Sequence, residues 1–238
     1  MTRMGGALAS WPGAERRDPP ASSATWVVRH ALARWLQAQA AELRSGPKVR
    51  ILDVGCGVKP YYPWFADVAS EYVGLDVVEN PAAELLGSVE AMPVEDASFD
   101  VVLCTQVLEH CDDPAQAVRE LRRVTRPGGR VLASTHGVQV YHPSPVDYWR
   151  WTHEGLLRLF TTSVDWSSVL VTPAAGTASG LAMLLSTFTE IALRRTFLAR
   201  GPVWVLNRTG AALDARVPRL SQPLPGSLIP NLHVVARP

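Results

Sequence analysis

Apolar residues change their spacing along this chain in a way that separates helices from strands. Between Thr25 and Arg44, residues Val28, Leu32, Leu36, Ala40 and Leu43 recur at steps of three and four with Trp35 beside them. That spacing predicts an amphipathic helix with Trp35 in the core, capped by Ser22 or Ser23 and ended by Ser45-Gly46-Pro47. Apolar runs follow at Val101–Thr105 and Val131–Thr135, with an opening strand that begins near Val49 and ends in an acid, and a further strand at Glu71–Val77. Such runs are expected of strands buried on both faces. Between them, Tyr61–Ala69 reads as a short helix and Ala115–Val124 as a longer one opened by Asp113-Pro114. Thr152 caps a helix over His153–Phe160, Val164–Val171 reads as another strand, and Asn231–Ala236 as a final antiparallel edge strand. Strands alternating with helices predict an α/β fold with a doubly wound parallel sheet, whose ligands sit beyond the carboxyl ends of the strands. Asp53, Asp76, Thr105 and Thr135 fall there.

Length and composition add limits. The chain has 238 residues, of which 47% are hydrophobic and 19% charged, as expected of one soluble domain with a sizeable core. Residues 21–238 are read as that domain, with 48–160 as the ligand-binding core and 172–230 as a helical lid insertion and linker. Residues 1–20 carry no long apolar run of the signal-peptide kind and read as a mobile tail. Cys56, Cys104 and Cys111 have no paired spacing for a disulfide framework or a zinc site, so a cytoplasmic setting without a metal is expected. Net charge is +1, but residues 1–48, 49–175 and 176–238 carry +4, −8 and +5. An acidic middle argues against a nucleic-acid groove, and no Asn/Asp-Pro-Pro-Tyr/Phe base-flipping motif is present.

The candidate chemistry begins at Ile51-Leu52-Asp53-Val54-Gly55-Cys56-Gly57. Two glycines after a buried strand let the backbone take positive φ and approach a ligand closely, with helix-start amides behind it. A plain strand-to-helix turn is the alternative. Asp76 lies nineteen residues beyond Gly57, where a neighbouring strand would place a carboxylate against a ribose; it could equally be a turn residue. Pro60 stands where a dinucleotide-binding turn would carry its third glycine, which disfavours a dehydrogenase.

Five blocks in order, ILDVGCG (51–57), YVGLD (72–76), MPVEDASFDVV (92–102), VLEH (107–110) and LRRVTRPGGRVLAST (121–135), closely resemble class I S-adenosylmethionine-dependent methyltransferases, in particular the bacterial type 11 group of small-molecule enzymes. The resemblance covers roughly residues 48–160. It implies a Rossmann-like seven-stranded sheet, mostly parallel with its last strand antiparallel, and S-adenosylmethionine as cofactor with S-adenosylhomocysteine as product. It also implies that Asp53, Gly55, Cys56 and Gly57 lie under the methionine part, that Asp76 with Val77 holds the ribose, that Glu90, Ala91 and Met92 flank the adenine, and that Thr105 and Gln106 approach the sulfonium. Ser88 stands where the family often has an acid.

Methyl transfer needs alignment more than a nucleophilic side chain, but a hydroxyl acceptor needs a base. His110 and His136 are the candidate bases; His142 and His153 follow, with capping or solvation as their simpler roles. His110 could instead tie its loop to the next helix. His136 and, on the loop from Tyr141 to Thr152, Tyr141, His142, Tyr148, Trp149 and Arg150 could meet an acceptor; the alternatives are packing of the loop onto the domain and pairing of Arg150 with Asp147. The expected reaction is O-methylation of a sugar or secondary metabolite. N- or C-methylation, and a non-catalytic cofactor-binding partner of an active homologue, are the rivals. Gly180–Leu198 reads as an apolar helix too interrupted to span a membrane. It could be a lid or core element, a homodimer face in place of a monomer, or a peripheral membrane contact serving a lipid-linked acceptor.

Overall fold

The computed structural model describes residues 10–143 and 145–238. Strands β1 (Val49–Val54), β2 (Ala69–Asp76), β3 (Leu85–Leu86), β4 (Phe99–Thr105), β5 (Thr125–His136), β6 (Ser168–Pro173) and β7 (Asn231–Arg237) form one sheet in the order β3-β2-β1-β4-β5-β7-β6. β7 runs antiparallel to both β5 and β6, and the other pairs are parallel. The expected antiparallel strand is therefore internal, not at the edge, because β6 pairs outside it.

Alternate side chains point to opposite faces of a strand, and the core divides accordingly. Ile51, Val101, Leu103 and Leu132 pack under α2 (Trp26–Leu43) through Leu32, Leu36 and Ala40 and under the short α3 (Tyr62–Phe65) through Phe65. Leu52, Val54, Val102 and Cys104 pack on the other face against α4 (Pro114–Val124) and α5 (His153–Ser163). Side chains such as Leu36 and Leu52 are fully buried, each worth about 1.5–3 kcal/mol. Asp113 and Thr152 cap α4 and α5 as expected, accepting from the amides of Gln116 and Gly155 at 3.0 Å each. Trp35 stacks on His233, ring centroids 4.3 Å apart.

Three expectations are corrected. The serine cap of α2 is displaced by one step: Ser23 Oγ accepts from the Thr25 amide at 3.3 Å and contacts Thr25 Oγ1 at 3.0 Å, but Thr25 is itself the N-cap residue, and Glu190, distant in sequence, accepts from the Ala24 amide at 2.9 Å. Residues 1–9 of the expected tail lie outside the described residues, but 10–20 are docked. They hold the one-turn α1 (Ala14–Arg17), the Trp11 indole donates to the Lys59 carbonyl at 2.9 Å, and Arg17 donates to the Pro60 carbonyl at 2.6 Å. The apolar helix after Gly176 is α6 (Thr177–Ala192), which stops before Arg194 and Arg195, both at positive φ. A second helix, α7 (Arg200–Arg216), returns against it as an unforeseen hairpin. Asp214 of α7 accepts from the amides of Gly176, Ala178 and Ser179 and so caps α6.

Candidate active site

Register sets the site. Val54 pairs with Leu75 on one side and Cys104 on the other, and Thr105 pairs with Ser134. Gly55, Asp76, Thr105 and His136 consequently emerge at one rim, where a cavity of about 820 Å³ opens. Roughly 300–1,000 Å³ is usual for a small-molecule site.

The glycine turn is built for close approach. Gly55 has φ +66°, and a Cβ there would lie 2.5 Å from Val107 Cγ2, so no side chain is tolerated. Gly57 has φ +49° and a Cβ there would meet nothing within 4 Å; this space belongs to the cavity. Its amide donates to Asp76 Oδ2 at 2.9 Å, while Asp76 Oδ1 accepts from the Val78 amide at 3.2 Å. Gln106, at φ +57°, is pinned by Ser134 and Asn231.

Of the expected cofactor residues, Gly55, Gly57, Asp76, Val77, Glu90, Thr105 and Gln106 line the cavity, as does Ser88. Asp53, Cys56, Ala91 and Met92 are not among the lining residues. Asp53 is buried beneath the turn, accepts from the Tyr72 hydroxyl at 2.7 Å, and is pushed by burial up to about 7. Cys56 is buried, with its thiol pushed up to about 12. Met92 is in the core and its amide donates to Glu120 at 2.8 Å.

At the opposite wall the structure brings together Glu109, His110, His136 and His142. The rings of His110 and His136 each lie 5.3 Å from that of His142. Glu109 is fully buried on a 3-10 turn (Leu108–His110); Oε2 accepts from the Thr135 hydroxyl at 2.8 Å and Oε1 lies 3.4 Å from His136 Nε2. Burial pushes Glu109 up to about 7 and His136 down to about 3, so below neutral pH the pair is an uncharged contact. His136 Nδ1 is buried and has no partner among the described residues. His110 Nδ1 is 2.7 Å from the Val146 carbonyl, whereas His153 is taken up by Val171 and Glu154.

Tyr141, His142 and Tyr148 line the cavity, whereas Trp149 and Arg150 are not among the lining residues. The Trp149 indole donates to the Cys111 carbonyl at 2.8 Å. Arg150 clamps Asp147, whose carboxyl it holds down at about 2. His136, His142 and Asp147 bring ligand atoms within 4.8 Å of one another, but the guanidinium already occupies the carboxylate that a cation would need. Glu109 was the residue most easily missed: its place in the Glu109-His110 pair was visible, its burial beside His136 was not. Arg16, Arg29 and Arg195 also line the cavity, as do Asp76, Glu90 and Asp112.

A seven-stranded Rossmann-like sheet carries a glycine turn and an acidic strand end that open on one cavity. The chain matches the methyltransferase domain family over residues 52–133. It is 40% identical over 106 residues to a malonyl-(acyl-carrier protein) O-methyltransferase of Erwinia pyrifoliae, covering 39% of each chain. It is 36% identical over 116 residues to a ubiquinone biosynthesis O-methyltransferase of Bordetella bronchiseptica, covering 42% of this chain and 47% of that one. The matches thus span less than half the length of these relatives. The (4+2)-cyclase SpnF shares the fold, with a TM-score of 0.54 at 18% identity over 87% of this chain and 81% of that one.

Proposed function

We propose that this protein transfers a methyl group from S-adenosylmethionine to an oxygen of a small-molecule acceptor. The observation that carries the reading is that the Gly55–Gly57 turn and Asp76 open onto the same cavity as the buried Glu109–His136 pair. The empty space over Gly57 fits a ligand pressed against the backbone, and the acids Asp76, Glu90 and Asp112 suit one that bears a positive charge. S-adenosylmethionine, when bound, supplies a methyl group activated on a sulfonium.

Asp76 offers its remaining lone pairs to ribose hydroxyls, Val77 and Glu90 flank the base, and Thr105 with Gln106 lines the inner end. Tyr141, His142 and Tyr148 hold the acceptor. The acceptor hydroxyl loses its proton to the His136 imidazole, which lines the cavity and has Nε2 facing Glu109. The Glu109 carboxylate balances the imidazolium so formed, and the two groups titrate as a unit. Both curated relatives named above are O-methyltransferases, which supports oxygen as the acceptor atom. A nitrogen or carbon acceptor would leave the pair with less to do.

Incubation with methyl-labelled S-adenosylmethionine and fractionated cell extract, followed by mass identification of the labelled product, tests the reading. An O-methylated small molecule is expected. Cofactor binding without transfer to any fraction would instead make the chain a binding partner.

A further inference from the structure

The hairpin of α6 and α7 buries Ala182, Met183 and Val203 with several small and polar residues, and shows most of its large apolar side chains to solvent. Ser179, Gly180 and Ser186 are buried on α6, and Asn207 and Gly210 on α7. Leu181, Leu185 and Phe188, spaced i, i+4, i+7, form a stripe on the outer side of α6, exposed by 48%, 43% and 68%. Phe197 and Leu198 continue it at the hairpin tip, 74% and 60% exposed, and Trp204 follows on α7 at 52%. A continuous exposed apolar surface of this kind marks an interaction site.

Charge selects the partner. Residues 176–238 hold seven arginines and two acids, and both acids are turned inward: Glu190 accepts from the Ala24 amide, and Asp214 from three amides at the start of α6. Arg194, Arg195, Arg200 and Arg208 remain exposed at and near the tip. A second copy seated on this face would press cation against cation across the two-fold axis. A lipid bilayer with anionic headgroups satisfies both the apolar stripe and the arginines. No helix among the described residues is long and apolar enough to cross a membrane, so the hairpin would lie in the surface. Met183 and Thr187 line the cavity from the face of α6 opposite Leu181, Leu185 and Phe188, so the helix can present its stripe outward without blocking the site.

We propose that the α6–α7 hairpin seats the protein on an anionic lipid surface. This docking surface does not rest on the methyl-transfer reading.

The test is co-sedimentation of the full chain with vesicles of phosphatidylcholine alone and of equal parts phosphatidylcholine and phosphatidylglycerol. Binding to the mixed vesicles at least about tenfold tighter than to the neutral ones, and weakening with salt, is expected. Arg194→Glu with Arg208→Glu should remove that preference, at about fivefold or more per site. Phe188→Glu with Phe197→Glu should abolish sedimentation while leaving S-adenosylhomocysteine affinity unchanged, which shows the variant to be folded. Wild-type protein that ignores both vesicles, or glutamate variants that still bind, overturn the proposal; so does a dimer, seen by sedimentation velocity and broken by the phenylalanine variants, in a chain that binds no vesicle. Vesicle binding without S-adenosylhomocysteine binding would break the methyl-transfer reading and leave the docking surface standing; the reverse result would do the opposite.

Discussion

The two walls of the cavity are made by different means. On the β1–β2–β4 side, the strands end level, and backbone groups do the work: Gly55 and Gly57 at positive φ, the Gly57 amide, and a single carboxylate, Asp76. On the other side, residues 136–150 carry side chains that hold one another. Glu109 accepts from Thr135 through its side chain and from the amides of Tyr148 and Trp149 through its carbonyl, while Arg150 clamps Asp147. A wall of backbone suits a ligand that never changes, and a wall of side chains on a long loop can be altered without disturbing the sheet.

Breaking the second wall should have the largest effect. Glu109→Gln is expected to cut turnover by about 10²–10⁴-fold with cofactor affinity unchanged, measured by steady-state kinetics and calorimetry. In the wild type, kcat/KM should rise with pH through about 7 as Glu109 loses its proton, and this rise should vanish in the variant. Stability carries the opposite sign. A carboxyl whose folded pKa stands near 7 against 4.5 when exposed favours the protonated folded state, so its contribution falls as pH rises from 4.5 through 7. Urea melts of Glu109→Gln should lack that fall.

Breaking the first wall is expected to act on binding instead. Asp76→Ala should weaken S-adenosylhomocysteine by about 1.5–3 kcal/mol in calorimetry, if its charged hydrogen bonds hold the ribose. Gly55→Ala should cost about 1–3 kcal/mol of stability in denaturant melts, since a Cβ at φ +66° meets Val107 at 2.5 Å. The smallest effect belongs to Trp149→Phe, about 1 kcal/mol for the lost bond to the Cys111 carbonyl, with turnover retained.

The first wall was legible in the sequence because its signals are local: an apolar run, two glycines, an acid at the end of the next strand. What depends on distant pairing was not. β7 reads as an edge strand until β6 is known to lie outside it. α7 escaped notice because its buried positions are Val203, Asn207 and Gly210, a face with only one apolar side chain, while Trp204 and Val205 point to solvent. Asn207 is buried because it donates to the carbonyls of Ala21 and Ser23, each at 2.8 Å, contacts across more than 180 residues. Trp149 and Arg150 depend on their partners too: the Trp149 indole donates to the Cys111 carbonyl, distant in sequence, and of the two partners open to Arg150 the structure shows Asp147. Aromatic and charged residues on a loop look available until the carbonyl and the carboxylate that occupy them are in view.

Calorimetric titration of S-adenosylhomocysteine into the full chain bears most directly on the claim that the backbone wall is a methyl-donor site. One saturable site per chain, weakened by Asp76→Ala and indifferent to Glu109→Gln, is the result predicted. No binding by the wild-type protein, or binding that Asp76→Ala leaves untouched, would contradict it.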